Sequence, residues 1–187
     1  YLKDNLKKYD LVIISDYGHG FISNDNAKII CQNSKYLALN AQVNAANIGY
    51  HSMRKYNNIK CVIINETELR HELRSKNEKI ENLMKELTYS RKIENLIVTR
   101  GKNGSILYNR KENKFNFAEA FASNTVDKIG AGDAMLALSS LCLKSKLDSN
   151  FSLLLGSLAA AQSVETTGNK QSVNKAKILK YIENIIK

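Results

Sequence analysis

The sequence predicts an α/β fold in which helices cover a largely parallel sheet. Short apolar runs typical of buried strands alternate along the chain with longer segments typical of helices. Polar or glycine-containing loops follow three of the predicted strands directly, at the strand ends where open α/β sheets bind ligands. The chain has 187 residues, of which 43% are hydrophobic and 25% charged, as expected for one globular domain over residues 1–187.

The first half of the chain contains three predicted strands. These strands are predicted at Asp10–Ser15, Tyr36–Leu39 and Lys60–Ile64. Ser23 or Asn24 can cap a helix that follows the first strand and runs to about Ser34. A second helix is predicted over residues 43–56, between the second and third strands.

The second half of the chain begins with two predicted helices and a strand, at Glu66–Leu73, Asn77–Tyr89 and Leu96–Thr99. A glycine-containing turn at residues 100–104 leads into a predicted hairpin, whose strands are Ser105–Tyr108 and Lys114–Phe117. Three further helices are predicted at Ala131–Leu143, Asn150–Thr166 and Ser172–Ile186. The longest apolar stretch, residues 151–161, is interrupted by serine and glycine and is too short to span a membrane, so no membrane partner is expected.

The chain is basic, with a formal net charge of +10. Its lysines are interleaved with Asp and Glu and lack the basic-aromatic pattern of a nucleic-acid-binding module, which favours a solvated surface. A nucleic-acid-binding protein is the less favoured alternative, and it predicts steeply salt-dependent binding. Cys31, Cys61 and Cys142 are odd in number and far apart, which favours reduced thiols in a cytoplasmic protein over disulfides or a zinc site.

The most informative segment is residues 124–136, where a Gly-Ala-Gly turn precedes an aspartate at the start of an apolar helix. Gly130 and Gly132 have no Cβ, so the backbone there can turn sharply and approach a ligand closely. A helix start offers unpaired N–H donors and the positive end of the helix dipole, which suit phosphate oxygens. Asp133 beside those donors could accept a proton from an attacking hydroxyl. The alternative is an ordinary glycine-rich loop capped by an aspartate.

Residues 127–133, DKIGAGD, resemble the second signature of the ribokinase/PfkB carbohydrate kinases. The resemblance implies a ribokinase-like three-layer sandwich with helices on both faces, and ATP and Mg²⁺ as cofactors. It implies an anion hole formed by Gly130, Ala131 and Gly132, with Asp133 as catalytic base and Asp127 near the cofactor. Lys128 and Ile129 stand where the family has two threonines.

Two other segments are similar to nucleotide-site motifs of the same family. Asn65 and Glu68 match its N-x-x-E motif, which implies contacts to phosphate and, for Glu68, to Mg²⁺ through water. The same spacing is that of a capping box, which needs no metal. Thr99, Gly101 and Gly104 match a turn beside the nucleotide. By the family pattern, Ala160 and Asn169 would border the adenine.

The strand and loop at residues 9–20 and the segment at residues 39–50 look most like the heptose-7-phosphate kinase branch of the family. That resemblance implies sugar or phosphate contacts from four polar residues, Asp16, Asn40, Asn44 and Asn47. It also implies that a nucleotidyltransferase domain is fused in the parent protein. The family's N-terminal part, and the lid through which such kinases often form homodimers, are not recognised in this sequence.

The function expected from these motifs is ATP-dependent phosphorylation of a hydroxyl on a sugar or sugar phosphate. The chain would supply the nucleotide half of such a kinase and need not be active alone. The alternative is a kinase-derived module that binds a nucleotide or sugar phosphate without chemistry. Lys128 and Ile129 favour this alternative, whereas the intact Gly-Ala-Gly-Asp sequence favours catalysis.

Overall fold

The structure is a computed structural model that describes residues 1–42, 53–122, 129–165 and 172–186. Six strands form one sheet in the order β1-β2-β3-β4-β5-β6. The first four strands are parallel, and β5 and β6 are added antiparallel at one edge. The strands are β1 Val12–Asp16, β2 Leu37–Ala41, β3 Cys61–Asn65, β4 Asn95–Thr99, β5 Ser105–Asn109 and β6 Lys114–Ala118.

The helices are α1 Leu2–Asn5, α2 Asn24–Asn33, α3 Glu66–Leu73, α4 Ile80–Arg91, α5 Ala131–Lys144, α6 Ser149–Val164 and α7 Lys175–Ile186. Short 3₁₀ turns lie at Leu6–Lys8, Met53–Lys55 and Gly101–Asn103. Ser23 caps α2 as predicted, since its side chain accepts a hydrogen bond from the Asn26 N–H. Most of the helix predicted over residues 43–56 lies outside the described residues, and its end forms the 3₁₀ turn instead.

Two apolar clusters on opposite faces of the sheet create three layers. Successive strand residues point to opposite faces, so Val62 and Ile64 join one cluster while Cys61 and Ile63 join the other. The first cluster also contains residues of α2, α3 and α4, and the second contains residues of α5 and α6. The α/β class and the mostly parallel sheet expected from the sequence are therefore confirmed.

Strand ends differ from the predicted ones in a way that matters for the site. β1 ends at Asp16 rather than Ser15, and β2 continues to Ala41 rather than Leu39. In register, Ser15 pairs with Asn40 and Asp16 with Ala41. The strand pairing thus extends to the carboxyl edge of the sheet through the polar residues Ser15, Asp16 and Asn40. The strand ends had been predicted from the apolar runs, which are shorter.

All three cysteines are free thiols. Burial raises the pKa of each thiol, and that of Cys61 rises to about 12. Such thiols are poor nucleophiles, which favours a packing role for these residues over a catalytic one. Among the residues that the structure describes, no helix has the length and apolar content needed to cross a membrane.

Candidate active site

Asp133 lies in the first turn of α5, which packs against β1, β2 and β3. The residue preceding the helix, Gly130, has φ 86°, in the left-handed region that glycine adopts readily. Its carbonyl accepts the first helical hydrogen bond, from the Ala134 N–H at 2.9 Å. The N–H groups of residues 131–133 have no acceptor within the helix, and they surround Asp133 at the positive end of the helix dipole.

Two hydroxyl groups from the end of β1 bind the Asp133 carboxylate. Ser15 Oγ donates to Oδ1 at 2.6 Å, and the Tyr17 hydroxyl donates to Oδ2 at 2.9 Å. The side chains at positions 15 and 17 point to the same side of the chain, toward α5, because strand residues alternate in direction. The hydrogen bond to Asp133 raises the pKa of the Tyr17 phenol, since it stabilises the protonated form.

Asn40 lies in β2 beside Ser15 and faces the start of α5. Its side chain is 4% exposed, and its Nδ2 would lie 3.1 Å from a Cβ placed on Gly132. Its Oδ1 is buried and has no hydrogen-bond partner within the described residues. A buried acceptor without a partner costs free energy, so this oxygen marks a position where a ligand donor would be stabilised.

Asp16 points to the opposite face of the sheet from Asp133. One carboxylate oxygen accepts hydrogen bonds from the Tyr56 hydroxyl at 2.6 Å and pairs with Lys55 Nζ at 2.7 Å. The other accepts from the Gly18 N–H at 3.0 Å. Burial by itself would raise the pKa of Asp16, but these three donors outweigh it and the pKa is lowered. In this arrangement Asp16 holds the loop after β1 against the segment at residues 53–56.

A second group of predicted site residues lines a cavity of about 310 Å³ at the carboxyl ends of β3 and β4. Its walls are residues 65–68, His71 and residues 99–101. The predicted capping box is present, because Asn65 Oδ1 accepts from the Glu68 N–H and Glu68 Oε2 accepts from the Asn65 N–H, both at 2.8 Å. This side of the site is charged, since Glu66 pairs with Arg70 and, at 3.5 Å, with Arg100.

The side chains around this cavity could bind Mg²⁺ only together with a ligand that supplies further oxygen atoms to the ion. Within the described ranges, no group of three or more His, Cys, Asp or Glu residues is arranged to hold a metal ion. Mg²⁺ in proteins is often held by one or two carboxylates together with waters and substrate phosphates. Glu66 and Glu68 are the carboxylates that could contribute to such a shell.

The remaining predicted site residues are only partly placed. The Gly101–Asn103 turn is held by three backbone hydrogen bonds, from Arg100 to Gly104, from Asn103 to Arg100 and from Gly104 to Gly101, so its backbone geometry is set within the turn itself. Ala160 in α6 packs against the second apolar cluster, and its predicted contact to adenine stays a prediction. Four predicted residues lie outside the described residues: Asn44, Asn47, Asp127 and Asn169.

The structure adds residues to the site that the sequence analysis did not select. Ser15 and Tyr17 contact Asp133, Lys55 and Tyr56 contact Asp16, and His71 lines the cavity. The alternation of side chains along a strand could have indicated Ser15 and Tyr17, because it places these two side chains on one face and Asp16 on the opposite face. No local pattern indicates Lys55 or Tyr56, which reach Asp16 from about 40 positions along the chain.

Two curated proteins with similar sequences carry the same name. The chain is 28% identical over 167 residues to "Bifunctional protein HldE" of Campylobacter fetus subsp. fetus (strain 82-40), covering 88% of this chain and 35% of that protein. It is 25% identical over 169 residues to the protein of the same name from Campylobacter jejuni (strain RM1221), covering 89% and 35%. It thus spans about one third of the length of the curated relatives it matches.

Solved structures share the fold at lower sequence identity. A putative ribokinase II (apo form) from E. coli superposes with a TM-score of 0.79 at 18% identity, covering 97% of this chain and 61% of that one. Arabidopsis thaliana ribokinase complexed with ribose and ATP superposes with a TM-score of 0.75 at 20% identity, covering 97% and 58%. The family model for pfkB family carbohydrate kinases matches residues 3–176. The chain therefore belongs to the pfkB family of carbohydrate kinases.

Proposed function

We propose that this site transfers the γ-phosphoryl group of ATP to a hydroxyl of a sugar or sugar phosphate. The observation that carries the proposal is the position of Asp133, in the first turn of a helix behind a left-handed glycine and within hydrogen-bond distance of two hydroxyl groups. A carboxylate so placed can accept a hydrogen bond from the substrate hydroxyl, beside donors suited to phosphate.

In the proposed reaction Asp133 takes the proton from the substrate hydroxyl. The oxygen then forms a bond to the γ-phosphorus while the bond from that phosphorus to the bridging oxygen breaks, and the electron pair leaves with ADP. The backbone N–H groups at residues 130–133 stabilise the negative charge on the transferring group, where their dipoles are already oriented. Mg²⁺, when bound with the nucleotide, supplies further charge neutralisation at the phosphates.

The nucleotide is proposed to occupy the edge of the sheet between Asp133 and the cavity. The proposed contacts within the described residues are Asn65, Glu68, Thr99, Gly101, Gly104 and Ala160. Asp127 and Asn169, which lie outside the described residues, are proposed as further contacts. Because β1 to β4 are parallel, their carboxyl ends share one edge, which supports a single site running from Asp133 to this cavity. Arg100 and His71 add potential donors for phosphate oxygens at the cavity wall.

A heptose phosphate is the proposed acceptor class. The similarity to the two HldE proteins supports it, and so does the buried Asn40 Oδ1, which needs a donor such as a sugar hydroxyl. Asn44 and Asn47 are proposed to bind the same sugar. Asp16 is proposed to act on the substrate through the loop that it holds rather than by direct contact, because its oxygens already bind three donors. A cytoplasmic location, a fused nucleotidyltransferase and a homodimer belong to the same proposal.

Calorimetric titration with ATP and ADP in the presence of Mg²⁺ tests the nucleotide half of the proposal. Saturable binding is expected for the chain and for Asp133→Ala, and Gly132→Val should abolish it because its side chain fills the space beside Asn40. Binding that Gly132→Val leaves unchanged would place the nucleotide elsewhere.

The catalytic half of the proposal requires the longest natural form of the protein, assayed for ADP release with ribose, a hexose 6-phosphate and a heptose 7-phosphate. Asp133→Asn should lower kcat by about 10²- to 10⁴-fold with little change in ATP affinity, since it removes the base and leaves the shape. Nucleotide binding without turnover in the wild type would instead favour the non-catalytic binding module.

A further inference from the structure

We infer that Ser15 and Tyr17 are positioning residues for Asp133, and that the Tyr17 hydroxyl occupies the place that the acceptor hydroxyl takes during the reaction. The inference rests on the proposed function and adds two side chains to it. It starts from the observation that each oxygen of the Asp133 carboxylate is bound by a different hydroxyl of one short segment.

Ser15 is the fixed partner of the carboxylate. It belongs to β1, and its backbone is paired with Asn40 in the sheet, so its Cα cannot move without breaking strand pairing. Its short side chain holds Asp133 Oδ1 at 2.6 Å. A hydrogen bond from a rigid strand to the first turn of α5 fixes the direction in which the second oxygen, Oδ2, points.

Tyr17 is the displaceable partner. It lies one residue beyond the end of β1, its side chain is 44% exposed, and its phenol reaches Oδ2 at 2.9 Å. A general base must lie about 2.6–3.2 Å from the hydroxyl whose proton it takes. The phenol oxygen is therefore located where an acceptor oxygen has to be, and it offers the same kind of donor as a sugar hydroxyl.

If one hydroxyl donor replaces another on Asp133 Oδ2, Ser15 and Tyr17 have different roles at the same carboxylate. Without substrate, the phenol keeps the carboxylate hydrogen-bonded and oriented. When an acceptor binds, its hydroxyl replaces the phenol on Oδ2, and the number of hydrogen bonds to the carboxylate is conserved. The phenol can move aside because Tyr17 lies beyond the end of β1, whereas Ser15 is paired in the sheet and keeps Asp133 in place.

The hydrogen bond between Tyr17 and Asp133 can be tested without an activity assay. Tyrosine ionisation is followed by NMR in protein labelled with ¹³C at the tyrosine Cζ. The chain has nine tyrosines, so the Tyr17 signal is assigned by its loss in Tyr17→Phe. Asp133→Asn should lower the pKa of Tyr17 toward its ordinary value, because it replaces the carboxylate, whose negative charge favours the protonated phenol, with a neutral amide. An unchanged Tyr17 pKa would show that the contact does not exist in solution and would overturn the inference.

Kinetics of the active form, with whichever of the three acceptors above is phosphorylated, separate the two residues. Ser15→Ala should lower kcat by about two- to tenfold with KM for ATP unchanged, the loss expected for one hydrogen bond. Tyr17→Phe should lower KM for the acceptor by about two- to tenfold, because the competing donor is gone. Tyr181→Phe removes a tyrosine that donates to Glu165 at 3.4 Å and serves as the matched control, with no change expected.

A fall in kcat for Tyr17→Phe as large as that for Ser15→Ala would overturn the placeholder role of Tyr17. If the wild type phosphorylates none of the acceptors, the proposed function fails and this inference fails with it, whatever NMR shows of the contact. If the wild type is active and both variants match it, only the inference fails.

Discussion

The side-chain amide of Asn40 lies against the backbone of Gly132, so that a Cβ at position 132 would approach Asn40 Nδ2 to 3.1 Å. That distance is shorter than most side-chain contacts allow, and Asn40 is too buried to move aside into solvent. Glycine at 132 thus lets β2 and the first turn of α5 come together at the carboxyl edge of the sheet. Gly132, a residue of the predicted anion hole, thus lies beside Asn40, a residue predicted to contact the sugar.

This packing predicts a coupled effect of Gly132→Ala and Asn40→Ala on the free energy of unfolding. The added methyl should destabilise the protein when Asn40 is present and be tolerated when the amide is removed. We expect an interaction free energy of about 0.5–3 kcal/mol in a double-mutant cycle measured by urea unfolding. Gly132→Ala combined with Asn116→Ala, on the distant strand β6, should be additive. Additivity of the first pair would mean that position 132 has more room than the structure shows.

A second prediction concerns the buried ion pair between Asp16 and Lys55, whose side chains are 4% and 16% exposed. Asp16→Asn leaves the lysine charge without its partner, so we expect a loss of about 3–5 kcal/mol in the free energy of unfolding. The matched control is Asp10→Asn, because Asp10 pairs with Lys35 at 3.5 Å on the exposed surface. That change should cost less than about 1 kcal/mol. Equal losses would show that Asp16 is solvated.

The same carboxylate predicts a pH dependence of stability. The pKa of Asp16 is lower in the folded protein than its ordinary value of 3.8, so the folded state favours the charged form. Its stabilisation is therefore complete above the unfolded-state pKa and is lost as pH falls through the folded-state pKa. The difference in unfolding free energy between wild type and Asp16→Asn should be constant above about pH 5 and shrink below that. A difference that grows on acidification would contradict the assigned direction.

Local signals in the sequence were enough to predict the first turn of α5, whereas the contacts of Asp133 were not predicted. The glycines and the helix start are adjacent to Asp133 in the chain, so backbone geometry and residue chemistry could be inferred together. Ser15 lies 118 positions away, and only the packing of α5 on β1 brings it to the carboxylate. The family fold was inferred from such local motifs, and it is confirmed.

Asp16 illustrates what strand alternation adds to the resemblance. The resemblance of residues 9–20 implied that Asp16 lies by the substrate or the phosphate path, and that implication stays a prediction. Alternation of side chains places Asp16 opposite to Ser15 and Tyr17, where Lys55 and Tyr56 bind it.

The short helix α1 was not predicted because four residues are too few to show a helical period.

A fourth prediction compares two glycines of the turn at residues 101–104. Gly104 has φ 75° and ψ −141°, and a Cβ there would collide with the backbone carbonyl of Ala118. Gly101 has φ 57°, and a Cβ there would meet open space. Gly101→Ala should therefore cost only the strain of a left-handed residue, about 1–2 kcal/mol. Gly104→Ala should cost clearly more, because β6 must also move. Thermal unfolding of both variants checks the order, and a reversed order would show that the turn differs from the one described.

The last prediction separates the two roles open to Glu68, the capping box and the shell of Mg²⁺. Glu68→Gln keeps an oxygen that can accept from the Asn65 N–H but removes the charge, whereas Glu68→Ala removes both. The alanine variant should lose about 1 kcal/mol of stability through the cap, and the glutamine variant much less. If Glu68 also contributes to the magnesium shell, Glu68→Gln should raise the Mg²⁺ concentration needed for half-maximal ATP binding while its unfolding free energy stays near that of the wild type.

Calorimetry at several Mg²⁺ concentrations, paired with urea unfolding of the same samples, measures both quantities. A glutamine variant with unchanged Mg²⁺ dependence would exclude Glu68 from the magnesium shell, since a carboxylate near the ion cannot lose its charge without weakening that attraction.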